Sequence, residues 1–234
     1  MDANAFIIIY IAYLHCSGGF PYYYFKWEIA FYNSVHDISY AIRHSLTTRN
    51  PIWGWVIYRC SYKDEKLWTN VLSEWNQAVD RSRAEQILPS MDMKIVEDPS
   101  LERASKEAIC ERHYAWAGSV GGTAGIANCR NLWPPPRYQF AVYVDEGSLK
   151  SVKNHPGPPR RKGKRAYANL LHVTNHMNKG SPGASWPGRP MVKEQWWMRV
   201  ELDKLPVYAY GTLFDPANWY GYYKKPPQVW RYFD

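Results

Sequence analysis

Apolar and polar positions change period several times between residues 51 and 202. After Pro51, the run Trp53-Gly54-Trp55-Val56-Ile57-Tyr58-Arg59-Cys60-Ser61-Tyr62 is rich in β-branched and aromatic residues and predicts a strand. From Asp64 the period lengthens. Leu67, Trp68, Val71, Leu72, Trp75, Ala78 and Val79 fall on one stripe of a helix, with polar residues between them. Met93-Lys94-Ile95-Val96 predicts a second, shorter strand. Pro99-Ser100 offers a helix start that Leu101, Ala104, Ala108 and Ile109 continue at helical spacing. Tyr138 to Val144 predicts a third strand, with a short helix from about Ser148. Tyr167 to Val173 and Gln195 to Leu202 predict a fourth and a fifth. Glycine and proline mark loops at 118–136, 154–165 and 177–190, and Pro226-Pro227-Gln228-Val229-Trp230 predicts an extended terminal arm.

Strands alternating with helices, followed by strands without them, predict an α+β class. The expected architecture is a single domain: a mixed sheet with helices on one face, ferredoxin-like elements and long loops. Residues 51–234 are taken as that domain, and residues 1–50 as an N-terminal extension packed on its core. The apolar run Phe6 to Leu14 is too short to span a bilayer as a helix and lacks the positive flank of a signal peptide. It predicts a buried strand.

Charge adds a regional signal. The 234 residues carry 29 basic and 21 acidic side chains, net +8, yet residues 137–199 alone hold 12 Lys/Arg against 3 Asp/Glu. The rest of the chain is close to neutral, so one region is suited to an acidic partner. Cysteines at 16, 60, 110 and 129 have neither zinc-site nor disulfide-framework spacing, so free, mostly buried thiols in a cytoplasmic setting are expected.

Three acidic pairs follow strand residues: Asp64-Glu65, Glu97-Asp98 and Asp145-Glu146. One reading is helix capping, in which a carboxylate satisfies free N–H groups at a positive dipole end. The other gathers carboxylates at one sheet edge, where they hold a guanidinium or act as a base. Glu97-Asp98 and Asp145-Glu146 follow their strands directly and are the better candidates. Arg59, inside an apolar strand, needs a partner, either a structural carboxylate or a bound anion or carbonyl. His172 and His176 have no third ligand, so no metal is expected, and Gly118 to Gly125 lacks the lysine and glycine spacing of a nucleotide loop. Arg160, Arg161, Lys162, Lys164 and Arg165, preceded by Lys150 and Lys153, form either a solvated loop or a contact to a phosphate backbone. Of the 38 aromatics, 23 lie in residues 1–32 and 194–234, as core or as stacking surfaces.

Several of these blocks occur together elsewhere. Trp53 to Tyr62 with Trp68, Val96-Glu97-Asp98-Pro99, Tyr143-Val144-Asp145, Trp197-Met198-Arg199-Val200 and Lys225 to Val229 resemble segments of a group of small fungal proteins. Over residues 51–230, with gaps at the long loops, the chain is similar to the fungal arginine-containing cyclodipeptide synthases. That resemblance implies an enzyme of specialised metabolism that draws arginine and a second amino acid from charged tRNAs and closes a diketopiperazine. Arginyl-tRNA and a second charged tRNA are then the partners. No cofactor is needed, because the aminoacyl ester is already activated.

The roles follow from the chemistry. Glu97 or Asp145, with Tyr62, is expected to handle the proton of the attacking amine. Glu97, Asp98 or Asp145 would hold a guanidinium, and Arg59 would bind an anion or carbonyl. Trp68 or Trp197 would line a side-chain pocket, and Lys150, Lys153 and the 160–165 run would hold the RNA. Two other classes stay open: a non-catalytic RNA- or protein-binding module, and a small-molecule cyclase or isomerase.

Overall fold

The computed structural model describes residues 52–82, 87–120, 135–153, 165–177 and 195–231. The 1–50 extension, with its apolar run and Cys16, lies outside them, as do Cys129 and the basic residues Arg160, Arg161, Lys162 and Lys164.

Six strands make one sheet: β1 (Val56–Arg59), β2 (Lys94–Val96), β3 (Phe140–Val144), β4 (Tyr167–His172), β5 (Trp197–Glu201) and β6 (Val229–Trp230). Their order is β2-β1-β3-β4-β5-β6. β1 pairs in parallel with both β2 and β3, while β4 runs antiparallel to β3 and β5. The α+β class with a mixed sheet is as expected. A ferredoxin-like order is not, because β1 lies directly between two parallel partners. Helix α1 (Glu65–Arg81) connects β1 to β2, α2 (Lys106–Ser119) connects β2 to β3, and α3 (Glu146–Lys153) follows β3. The expectation of helices on one face also gives way. Ile57, Val142, Val144, Leu170 and Val200 pack toward α1 and α3. Val56, Tyr58, Cys60, Ala141 and Tyr143 pack toward α2. Residues alternate across each strand, so two apolar faces need two helical layers.

Local chemistry sets the helix starts. The Asp64 carboxylate accepts from the Leu67 amide at 2.9 Å, and α1 then buries Leu67, Trp68, Val71, Trp75, Ala78 and Val79. The second helix begins at Lys106 instead of near Pro99. Asp98 caps a separate 3-10 turn at Pro99–Leu101, Arg103 at φ 59° interrupts the path, and Ser105 caps α2 by accepting from the Ala108 amide at 3.1 Å. The aromatic tail belongs to the core. Trp219 and Tyr210 are fully buried, and the indoles of Trp55 and Trp219 donate to the carbonyls of Leu205 and Gln195, both at 2.7 Å.

Candidate functional site

The connections place α1 and α2 on opposite faces of β2-β1-β3, so the chain reverses its winding between β1 and β3. In sheets of this kind a crevice opens outside the carboxyl ends of the strands at that reversal. Arg59 ends β1 there. Its side chain is 5% exposed, and Nε donates to the Ser61 carbonyl at 3.2 Å. Nη2 meets Glu65 Oε1 at 2.5 Å and Nη1 meets Glu97 Oε1 at 3.3 Å. The guanidinium carbon lies 4.4 Å from the Tyr62 ring centroid and 5.1 Å from that of Trp68. Burial works against the charge, but the hydrogen bonds and charges of Glu65 and Glu97 outweigh it, so the Arg59 pKa lies above its ordinary value.

The sequence-predicted residues Arg59, Glu97, Tyr62 and Trp68 therefore meet in one cage. Glu65, the less favoured of the strand-end acids, completes it. Its place in the first turn of α1, six residues past Arg59, was the available signal. Glu102, which the sequence reading missed, accepts from the Tyr62 amide at 2.6 Å and ties down the backbone that carries that ring. Burial raises the Tyr62 phenol, against opposing effects of the Asp98 backbone and Arg59.

Other candidates lie elsewhere. Asp98 accepts from the Ser100 amide and pairs with Arg112, both at 3.0 Å. Asp145 accepts from the Ser148 amide at 2.8 Å and the Ser148 hydroxyl at 3.0 Å, and Asn169 Nδ2 donates to that hydroxyl at 3.1 Å. These two carboxylates cap their own turns and do not touch Arg59. Trp197 packs on the α2 side, with Lys106 Nζ 4.3 Å from its ring centroid, whereas Trp68 belongs to the α1 side. The two tryptophans cannot line one pocket, because the sheet separates them.

The basic residues are divided as well. Lys150 pairs with Glu146 Oε1 at 2.7 Å, and Lys63 takes the other oxygen at 2.9 Å. Hydrogen bonds from those two lysines hold the Glu146 carboxyl down at about 2. Arg165 is tied to the buried Glu201, a structural pairing that withdraws it from the predicted RNA contact. Lys153 lies exposed in the last turn of α3. His172 is enclosed by Phe140, Trp219 and Tyr220, and His176 rests on Trp196 at 4.4 Å. Among the described residues no cluster of three or more His, Cys, Asp or Glu can hold a metal ion, and no helix is long and apolar enough to cross a membrane.

No protein-family model, no curated protein and no solved structure matches the chain.

Proposed function

We propose that the chain is an aminoacyl-tRNA-using transferase that joins arginine to a second amino acid as a diketopiperazine. The observation that supports this reading is the convergence of Arg59, Glu65, Glu97, Tyr62 and Trp68 at the carboxyl ends of parallel strands. In the first step the α-amine of one aminoacyl group attacks the ester carbonyl of the other. A C–N bond forms, the C–O bond to the tRNA ribose breaks, and the ribose hydroxyl leaves. A second attack of the same kind closes the ring and frees the other tRNA.

Each attack releases one proton from nitrogen and delivers one to the departing oxygen. Glu97, locked by Arg59 and still 47% exposed, is placed to take the first. Tyr62, whose ring lies against the Arg59 guanidinium, is placed to donate toward the developing oxyanion. Because Arg59 already fills the fork between Glu65 and Glu97, an incoming arginine would meet only the outward oxygens of those carboxylates. Lys153 and the basic residues Arg160, Arg161, Lys162 and Lys164 would meet the acceptor stem.

Expression in a host with charged tRNA should yield an arginine-containing diketopiperazine by mass spectrometry, and RNase treatment of a lysate assay should abolish it. Glu97→Gln should cut product at least about 100-fold, as expected for loss of a positioned base, with an unchanged unfolding midpoint. Soluble protein with no product overturns the transferase. Co-purifying RNA in that case assigns the chain to the binding class instead.

A further inference from the structure

A second arginine lies at the opposite end of the sheet, in a different state. Arg137 sits in the single helical turn Pro136–Gln139 that leads into β3, and its side chain is 5% exposed, as buried as that of Arg59. Arg59 has two carboxylates and a carbonyl. Arg137 has one carboxylate: Nη2 donates to Asp92 Oδ2 at 2.9 Å. Its Nε and Nη1 are buried and meet no acceptor among the described residues. Leaving the N–H groups of a buried cation unpaired forfeits charge-assisted hydrogen bonds that are among the strongest a protein makes.

The surroundings define what would complete that coordination. The guanidinium carbon is 5.8 Å from the ring centroids of both Trp116 and Tyr138, which stack on each other at 5.8 Å and 23°. Lys94, an exposed residue, holds its Nζ 5.1 Å from the Trp116 centroid. Asp92 has a fixed backbone, and its carboxylate, 55% exposed, meets the guanidinium only at Nη2. Its amide donates to the Trp53 carbonyl at 2.7 Å, and its backbone lies so close to Gly54 that a Cβ there would sit 2.6 Å from the Asp92 carbonyl oxygen. His113 contacts Trp116 at 5.2 Å between centroids. Burial, aided by the Arg137 charge, holds its imidazole neutral with a pKa down at about 3. Two cations and one carboxylate leave the cluster one positive charge in excess. The two buried groups that Arg137 leaves unpaired, Nε and Nη1, are both donors.

We propose that Arg137 anchors a second binding site for a small oxyanion, a carboxylate or phosphate group, with Trp116 and Tyr138 as its walls and Lys94 at its mouth. The site is at the amino-terminal end of the sheet, away from the Arg59 cage, and it stands whether or not the chain is a transferase. A guanidinium recognises both anions by the same planar donor geometry, so the ligand source is left to experiment.

The test uses the full chain and measures the unfolding midpoint in potassium phosphate, potassium acetate and potassium chloride at matched ionic strength. Binding to the native state alone raises the midpoint with ligand concentration. The expected result is a saturable rise in phosphate or acetate that chloride does not reproduce. A larger response to phosphate assigns a phosphoryl ligand, and a larger response to acetate assigns a carboxylate. Arg137→Lys keeps the charge beside Asp92 but removes the planar donors, and should weaken the apparent affinity at least about tenfold. Lys94→Met alters an exposed side chain, should leave the fold intact, and should weaken it severalfold. If Arg137→Lys does not fold, Lys94→Met decides alone. Equal midpoints in the three salts, or an anion response that is the same in the wild type and in Lys94→Met, overturn the proposal. Diketopiperazine formation is a separate readout and moves neither result.

Discussion

Acidification from pH 6.5 to pH 4 is expected to unfold this protein. His113 and His172 are fully buried, and burial holds both imidazoles at about 3 against an ordinary 6.5. Above 6.5 both are neutral, folded or unfolded, and contribute no pH dependence. Below it the unfolded chain binds two protons that the folded chain refuses, so stability falls as pH drops from 6.5 toward 3. At about 1.4 kcal/mol per histidine per pH unit, the loss by pH 4 is on the order of 7 kcal/mol, comparable to the whole stability of a typical domain. Urea denaturation at pH 7, 6, 5 and 4 measures the slope directly. His172→Phe retains an aromatic ring against Phe140 and Trp219 and should roughly halve that slope. A slope that the replacement leaves unaltered would show that carboxylates, not this histidine, govern acid unfolding.

Gly54→Ala is the second change with a large effect. Gly54 has φ +120°, a conformation that residues with a side chain rarely adopt. The added methyl would lie 2.6 Å from the Asp92 carbonyl oxygen and 3.0 Å from its carbon. Both obstacles are backbone, held by the bridge between Trp53 and Met91 and by the Lys94 amide donating to the Trp55 carbonyl at 3.0 Å. They cannot rotate aside as a side chain would. A cost of about 3 kcal/mol or more is expected, a fall of about 6–12 °C in Tm for a chain of this size. Calorimetry of the purified variant checks it, and a shift under about 2 °C would mean that β2 slides freely against β1.

All five predicted strands of the described segments form, and so does α1, because long periodic runs and an aspartate cap are local signals. Two features depended on distant pairing. The parallel placement of β1 between β2 and β3 follows from helices crossing on opposite faces, and alternation within β1 could not distinguish one covered face from two. The start of α2 depended on Arg103 taking a positive φ, a backbone state that the Leu101, Ala104, Ala108 spacing does not encode. The site was legible in part for the same reason. Arg59 stood out as a cation in an apolar strand, and its partner Glu97 was within the favoured acids. Asp98 and Asp145 follow their strands by two residues and one, much as Glu97 follows its own by one, yet they cap turns, because a serine two or three residues on offers an amide within reach. Trp68 and Trp197 were indistinguishable as large aromatics until the sheet put them on opposite sides. Arg137 gave no sequence signal, since a cation beside prolines and a tyrosine resembles any surface turn.

Cys60 carries a practical consequence. Its thiol is buried beneath α2, and burial first, then the charges of Asp145 and Glu102, push it up to about 12. At neutral pH the reactive thiolate is then roughly one part in 100,000, and an alkylating reagent also has no path to the sulfur. Labelling of Cys60 by such a reagent therefore clocks transient separation of α2 from the central strands. Mass spectrometry of the labelled peptide turns that single sulfur into a stopwatch for the opening of the molecule's middle, in the unaltered protein.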